Sequence, residues 1–341
     1  MADICNEMDT QGDKRVVATI MKKLLFIDLE AHRTTGSSAF FSELLRQRFD
    51  VDRLYVNGRN DGRLPSSRDV VSYDCVICWQ VNPGNARAKS WRKPVVYVPM
   101  YDGETFNTVK WLRTRLQGGR AISFSRHEGS YLKRAGLKTL DVKWFPVECD
   151  FGPGDNRKAF LWERGGITED DVRLIFFEGL VDEVVVRRGA PEPGDGSRQD
   201  YLDRMSGCGI FVAPRFREGI GLSFLEAMAM GKCVIANKDG TMDEYIEDYK
   251  NGVLVDFGAK TEAKIDLTAD KISMIQRNAF ETCRKGRERW ESESEPAILD
   301  FVDAAIADCR PMSCLSRIAW WLLLPLHFLW DVKTLVFKIC G

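Results

Sequence analysis

The stretch of sequence richest in chemistry runs Ile210-Phe-Val-Ala-Pro-Arg-Phe-Arg-Glu-Gly-Ile-Gly-Leu-Ser-Phe-Leu-Glu-Ala-Met-Ala-Met-Gly-Lys-Cys-Val-Ile-Ala236. Two carboxylates, Glu218 and Glu226, stand with seven residues between them, and Gly219 and Gly221 follow close on the first. The pattern is a buried strand, a turn, a helix closed by Gly231 and a second buried strand. Glycines, having no Cβ, let the turn's backbone approach a bound group. The unfilled N–H groups and positive dipole end of the following helix favour an anion such as phosphate. A carboxylate beside such a site needs another partner, for which sugar or ribose hydroxyls are suited. Ser223-Phe-Leu-Glu226 also fits a capping box, which leaves Glu226 a purely structural alternative.

The elements that must hold this turn are legible on either side of it. Short apolar runs at 22–29, 52–56, 74–79, 94–98 and 121–124 read as strands buried on both faces. They alternate with helical patterns at 39–48 and near 105–116, and with a helix opened by Ser125-Arg-His-Glu128 and closed by Gly136. The periodicity breaks at 147–155, where Gly152, Pro153 and Gly154 read as a hinge. It then restarts with strands at 158–162, 183–187, 209–213 and 233–236. Helices from Thr168, at 198–205 and at 222–230 lie between them. Strands alternating with helices predict an open parallel sheet in each half, hence an α/β fold of two Rossmann-like domains facing a central cleft. The expected domains are 1–150, 151–309 and a tail at 310–341, with 1–21 a polar leader.

Composition is that of a globular chain, 44% hydrophobic and 29% charged. The net charge of −1 is unevenly spread. Residues 1–150 hold 24 Lys+Arg against 18 Asp+Glu, net +6; 151–309 hold 21 against 31, net −10; and 310–341 hold 4 against 1, net +3. Basic ends around an acidic middle favour an anionic partner for the ends. Cys75 and Cys78 form a C-x-x-C inside an apolar strand, where residues three apart face opposite ways, so reduced, buried thiols are expected rather than a shared metal. The first twenty residues hold Asp3, Glu7, Asp9 and Asp13 and no apolar core, so no secretory signal is expected and the cytoplasmic side is the expected location.

With its neighbours, the central stretch resembles the retaining GT-B glycosyltransferases of family 4, which carry two glutamates spaced by seven residues. The likeness continues in Val234-Ile-Ala-Asn237 and in Tyr245-Ile-Glu-Asp-Tyr-Lys-Asn-Gly-Val-Leu-Val255. Upstream it takes in Ile122-Ser-Phe-Ser125, Leu132 to Gly136 and Val142 to Asp150. The resemblance implies transfer of a hexose-type sugar, with retention, from a UDP- or GDP-sugar and without a cofactor or bound metal. It implies that Glu218 contacts the donor sugar, that the amides of Gly219, Ile220, Gly221 and Leu222 hold the diphosphate, and that Glu226 takes the ribose hydroxyls. Arg164 would neutralise the leaving diphosphate. The family's usual lysine after that arginine has no clear match; Arg187, Arg188 or Arg215 could supply its charge, and Arg215 is assigned to donor binding. On the acceptor side Gly36 marks a reduced glycine loop, and Tyr101 and Asp102 occupy the place of a family histidine.

Residues 317–339 are the most hydrophobic of the chain, yet the uncharged run 318–330 is shorter than the roughly 20 residues a spanning helix needs. His327, Asp331, Thr334 and Lys338 share one helical face, with Trp320, Trp321, Leu324 and Phe328 elsewhere around it. Such an amphipathic helix suits the headgroup interface of a membrane, the alternative being a helix docked on the first domain. The acceptor is accordingly expected to be a lipid-linked or membrane-proximal glycan, and no nucleic-acid partner is expected. Two other readings stand beside this one. One is a GT-B-like protein that binds sugar nucleotide or glycan without turnover. The other, a dinucleotide oxidoreductase, is disfavoured because 24–36 lacks the Gly-x-Gly-x-x-Gly turn.

Overall fold

The computed structural model describes residues 4–8, 14–18, 21–58, 64–81, 91–102, 108–149, 151–163, 166–176, 179–188, 197–259, 265–309, 313–323, 325, 326 and 329. Two parallel sheets dominate. The first comprises β3 (Lys23–Leu29), β4 (Asp50–Val56), β5 (Cys75–Trp79), β6 (Val95–Val98), β7 (Arg120–Ser123) and β8 (Lys138–Asp141), in the order β4-β3-β5-β6-β7-β8. The second comprises β9 (Asp155–Glu163), β10 (Glu183–Arg188), β11 (Cys208–Val212), β12 (Cys233–Asn237) and β13 (Val253–Val255), in the order β10-β9-β11-β12-β13. Every strand pair in both sheets is parallel. The expected strands are all present. The polar leader is corrected: β1 (Ile4–Met8) and β2 (Lys14–Ala18) pair as an antiparallel hairpin, Ile4 opposite Ala18 and Met8 opposite Lys14. Polarity hid it, since strand pairing needs only two facing backbones.

The helices are α1 (Glu30–Thr35), α2 (Ala39–Arg46), α3 (Thr108–Leu116), α4 (Arg126–Arg134), α5 (Glu169–Ile175), α6 (Ser197–Ser206), α7 (Leu222–Ala229), α8 (Ala269–Arg289), α9 (Glu295–Ala307) and α10 (Cys314–Leu322). Their ends follow capping chemistry. The Ser125 hydroxyl accepts from the Glu128 amide at the start of α4, and Thr168 and Asp171 form a complete capping box on α5. Cys75 and Cys78 are fully buried on opposite faces of β5, one in the cluster with Ile77 and Trp79, the other in that with Val76. Burial pushes the Cys75 thiol up to about 12 and the Cys78 thiol higher still, so both stay protonated.

The chain's last helices tie the two sheets together. A π-helical turn, Trp290–Ser294, follows the 21-residue α8 and directs α9 back across β5 and β6 of the first sheet. There Arg48 meets Asp300 at 2.6 Å, Lys22 meets Asp303 at 2.7 Å, and Arg120 meets Asp308 at 2.5 Å. The end of the span 151–309 therefore packs on the first sheet. One apolar cluster runs from Phe26 and Trp79 through Trp290 to Phe211 and Phe224, joining both halves.

The tail helix α10 docks on α3. Trp320 is fully buried, and the Arg113 guanidinium lies 4.0 Å from its ring centre. In the membrane-interface reading Trp320 would face lipid with Trp321; instead its indole seats the helix on α3, as the docked alternative expected. Leu315, Ile318, Trp321, Leu322, Leu326 and Leu329 are all exposed. Leu324, His327, Phe328 and 330–341, with Asp331, Thr334 and Lys338, lie outside the described residues. Among the described residues no helix is long and apolar enough to cross a membrane.

Candidate active site

In the second sheet the strand order reverses between β9 and β11, since the chain proceeds outward to β10 on one side and to β12 and β13 on the other. Ligands of open α/β sheets bind in the crevice at the carboxyl ends of strands flanking such a reversal. The turn 213–221 leaves β11 at that place. The loop after β9 reaches it through an antiparallel bridge between Gly166 and Arg215. From the end of β12, Asn237 Nδ2 donates to the Phe216 carbonyl at 3.0 Å, and just beyond it Thr241 Oγ1 donates to the Glu218 carbonyl at 2.7 Å. The turn is therefore fixed by its main chain.

Its two glycines are required for different reasons. Gly221 has φ +84°, and a Cβ there would meet the Phe224 ring at 1.9 Å. Gly219 is needed for a close approach, since a Cβ there would lie 2.9 Å from Met100 Cβ and 3.0 Å from Asp102 Oδ1. Gly221 is also the N-cap of α7, which has no side-chain cap. The capping-box alternative for Glu226 fails, because α7 begins at Leu222, ahead of Ser223. Ile220 is buried and Leu222 half-buried beside these glycines.

Glu218 is buried, 5% exposed, with Oε2 3.9 Å from Arg215 Nη1. Arg215 Nη1 in turn lies 2.6 Å from Asp102 Oδ2, beyond the end of β6 in the first domain. Tyr101 is buried beside it, and its hydroxyl donates to Asp239 Oδ1 at 3.2 Å. Burial, reinforced by the Asp239 carboxylate, pushes the Tyr101 phenol up from its ordinary value. Thus Glu218, Gly219, Arg215, Tyr101 and Asp102 converge, while Glu226 sits half-buried in the second turn of α7. Gly36 does not join them: with φ +66° it closes α1, its N–H donating to the His32 carbonyl. Arg164 lies outside the described residues. Arg188 pairs with Glu163 and Glu169, and Arg187 stacks over Trp162 at 4.7 Å, which leaves Arg215 as the arginine of the three beside Glu218.

With this geometry in view, the chain can be set beside known proteins. Residues 193–282 match the family model of Glycosyl transferases group 1, a span that takes in the whole of the turn and α7. Over 80 residues the chain is 35% identical to a Campylobacter jejuni protein, N,N'-diacetylbacillosaminyl-diphospho-undecaprenol alpha-1,3-N-acetylgalactosaminyltransferase, matching 24% of this chain and 20% of that one. Over 87 residues it is 33% identical to sucrose synthase 2 of Oryza sativa, 26% of this chain and 10% of that one. The chain thus spans about a fifth and a tenth of the length of these relatives. Sucrose-phosphate synthase from Thermosynechococcus elongatus superposes with a TM-score of 0.54 at 14% identity, over 84% of this chain and 99% of that chain. Anabaena HepE in complex with UDP and glucose superposes with a TM-score of 0.51 at 15% identity, over the same shares. The fold is GT-B.

Several polar groups of this GT-B cleft carry no signal in sequence. Glu244 Oε1 accepts from the amides of Arg126 (2.7 Å) and His127 (3.3 Å) at the start of α4, so a carboxylate of one domain caps a helix of the other. At the carboxyl end of β3, buried Asp28 accepts from Ser38 and Arg53 and lies 2.6 Å from His32 Nδ1. Asp239 also pairs with Arg217 at 3.3 Å.

Proposed function

We propose that this chain is a retaining, metal-independent glycosyltransferase of the family 4 type. It moves a hexose-type sugar from a UDP- or GDP-sugar to a lipid-linked or membrane-proximal glycan, as a peripheral protein on the cytoplasmic face of a membrane. The observation that carries the reading is the turn 213–221 at the crossover of the second sheet. It combines a buried carboxylate, Glu218, with a helix whose first amides have no side-chain cap.

In this reading the amides of Gly219, Ile220, Gly221 and Leu222 hold the diphosphate, and Glu226 takes the ribose hydroxyls. Glu218 stabilises the charge that grows on the sugar as the glycosidic bond breaks. Arg215, with Arg164, balances the charge on the leaving diphosphate. Retention follows from a front-face displacement, in which the departing phosphate helps to deprotonate the acceptor hydroxyl. Tyr101 and Asp102 stand on the acceptor side. The Anabaena structure with UDP supports a uridine donor, and the Campylobacter relative, named for a diphospho-undecaprenol substrate, supports a lipid carrier. The exposed leucines and Trp321 of α10, beside a basic first half, support a membrane setting.

The test is a screen of hydrolysis across UDP- and GDP-sugars, with the anomer released read by proton NMR. Turnover of one donor with retained configuration is expected. Nucleotide binding without turnover of any donor would leave the binding-only reading in its place.

A further inference from the structure

Arg215 belongs to the second domain and Asp102 to the first, so their ion pair bridges the mouth of the donor turn. The pair is short, 2.6 Å, and partly sheltered, the side chains being 33% and 17% exposed. The same guanidinium stands 3.9 Å from Glu218 Oε2, next to the amides read above as the diphosphate site. Gly219 lets the turn lie directly on Met100 and Asp102, where a Cβ would be crowded to about 3 Å. Asp102 Oδ1 is buried there, and among the described residues no donor reaches it. A guanidinium engages phosphate with the same planar fork it offers a carboxylate, so it cannot serve both fully.

Resting on the diphosphate reading of the turn, we infer that the Asp102–Arg215 pair is a donor-operated latch. An arriving nucleoside diphosphate draws Arg215 off Asp102 and loosens the first-domain loop from the glycine turn. The freed Asp102 carboxylate, facing the turn, then accepts a hydrogen bond from the acceptor hydroxyl and positions it. The order of binding follows: the acceptor site is complete only after the donor has taken the arginine. The ion pair opposes nucleotide binding by whatever it contributes to the closed state.

The experiment is calorimetric titration of UDP and of GDP into wild type, Asp102→Asn, Arg215→Ala and the double variant. Asp102→Asn removes the competitor, so nucleotide should bind about 5-fold more tightly, the scale of one partly exposed ion pair. In the Arg215→Ala background the same substitution should leave nucleotide affinity unchanged. Should Asp102→Asn fold poorly by circular dichroism, Asp102→Ser makes the same test. A folded Asp102 variant with unchanged or weaker nucleotide affinity overturns the latch. A wild-type protein that binds neither UDP nor GDP overturns the diphosphate reading itself, and the latch with it.

Discussion

Glu226 lies four residues beyond Leu222, the first residue of α7, too far into the helix to reciprocate a cap at its N-terminus. The proposed function assigns its carboxylate to the ribose hydroxyls. Glu226→Ala should weaken UDP or GDP binding by about 1–3 kcal/mol, the cost of a lost hydrogen-bonded contact, and leave the melting temperature nearly unchanged. A stability loss of about 1 kcal/mol with intact affinity would mean a structural role instead. Calorimetry and thermal unfolding on the same variant distinguish the two. At this scale the two glutamates and their glycines were readable from types and spacing, because strand, turn and helix follow one another within a few residues. The partners across the cleft were not. Asp102 and Arg215 are 113 positions apart, and Ser125 and Glu244 are 119 apart. Such pairings are set by how two sheets face each other, which no local pattern encodes.

Buried strands were legible because each is a compact apolar run, whereas β8, Lys138-Thr-Leu-Asp141, is a half-exposed edge strand with no such run. The return of α9 to the first sheet was hidden for a related reason. Its apolar positions say that it packs, but not on what. Another buried contact holds the linker expected to be a hinge. Lys232, fully buried just ahead of β12, donates to the Gly152 carbonyl in the linker at 2.9 Å and to the Ser206 carbonyl at 2.7 Å. Burial pulls its ammonium down from 10.5 to about 8. Between pH 8 and 10.5 the folded chain has released this proton while the unfolded chain keeps it. The site's contribution to stability therefore rises with pH across that window. In Lys232→Met that rise should disappear, seen as a smaller gain in the urea midpoint from pH 8 to pH 10 than in wild type. Equal gains would show that the lysine is not desolvated as described.

At the level of the whole molecule, the membrane part of the proposed function rests on α10. It is seated on α3 by Trp320 and turns Leu315, Ile318, Trp321 and Leu322 outward, so docking and surface binding are compatible roles for one helix. Full-length protein should bind anionic vesicles. Added salt should weaken the binding without abolishing it, because headgroup attraction is screened over about 8–10 Å whereas apolar insertion is not. Removal of 311–341 should release the protein from the vesicles while nucleotide binding in the second domain persists. Indifference of the full-length protein to vesicles of every composition would leave α10 a structural element only. The central claim, that the turn around Glu218 transfers a sugar from a nucleotide donor, is tested most directly by nucleoside diphosphate release from UDP- and GDP-sugars by wild type and Glu218→Gln. Wild type should turn over at least one donor, and the variant should do so about 100-fold more slowly or worse, with nucleotide affinity and melting temperature preserved. Equal turnover by the two proteins, or none by wild type with any donor, would contradict the account.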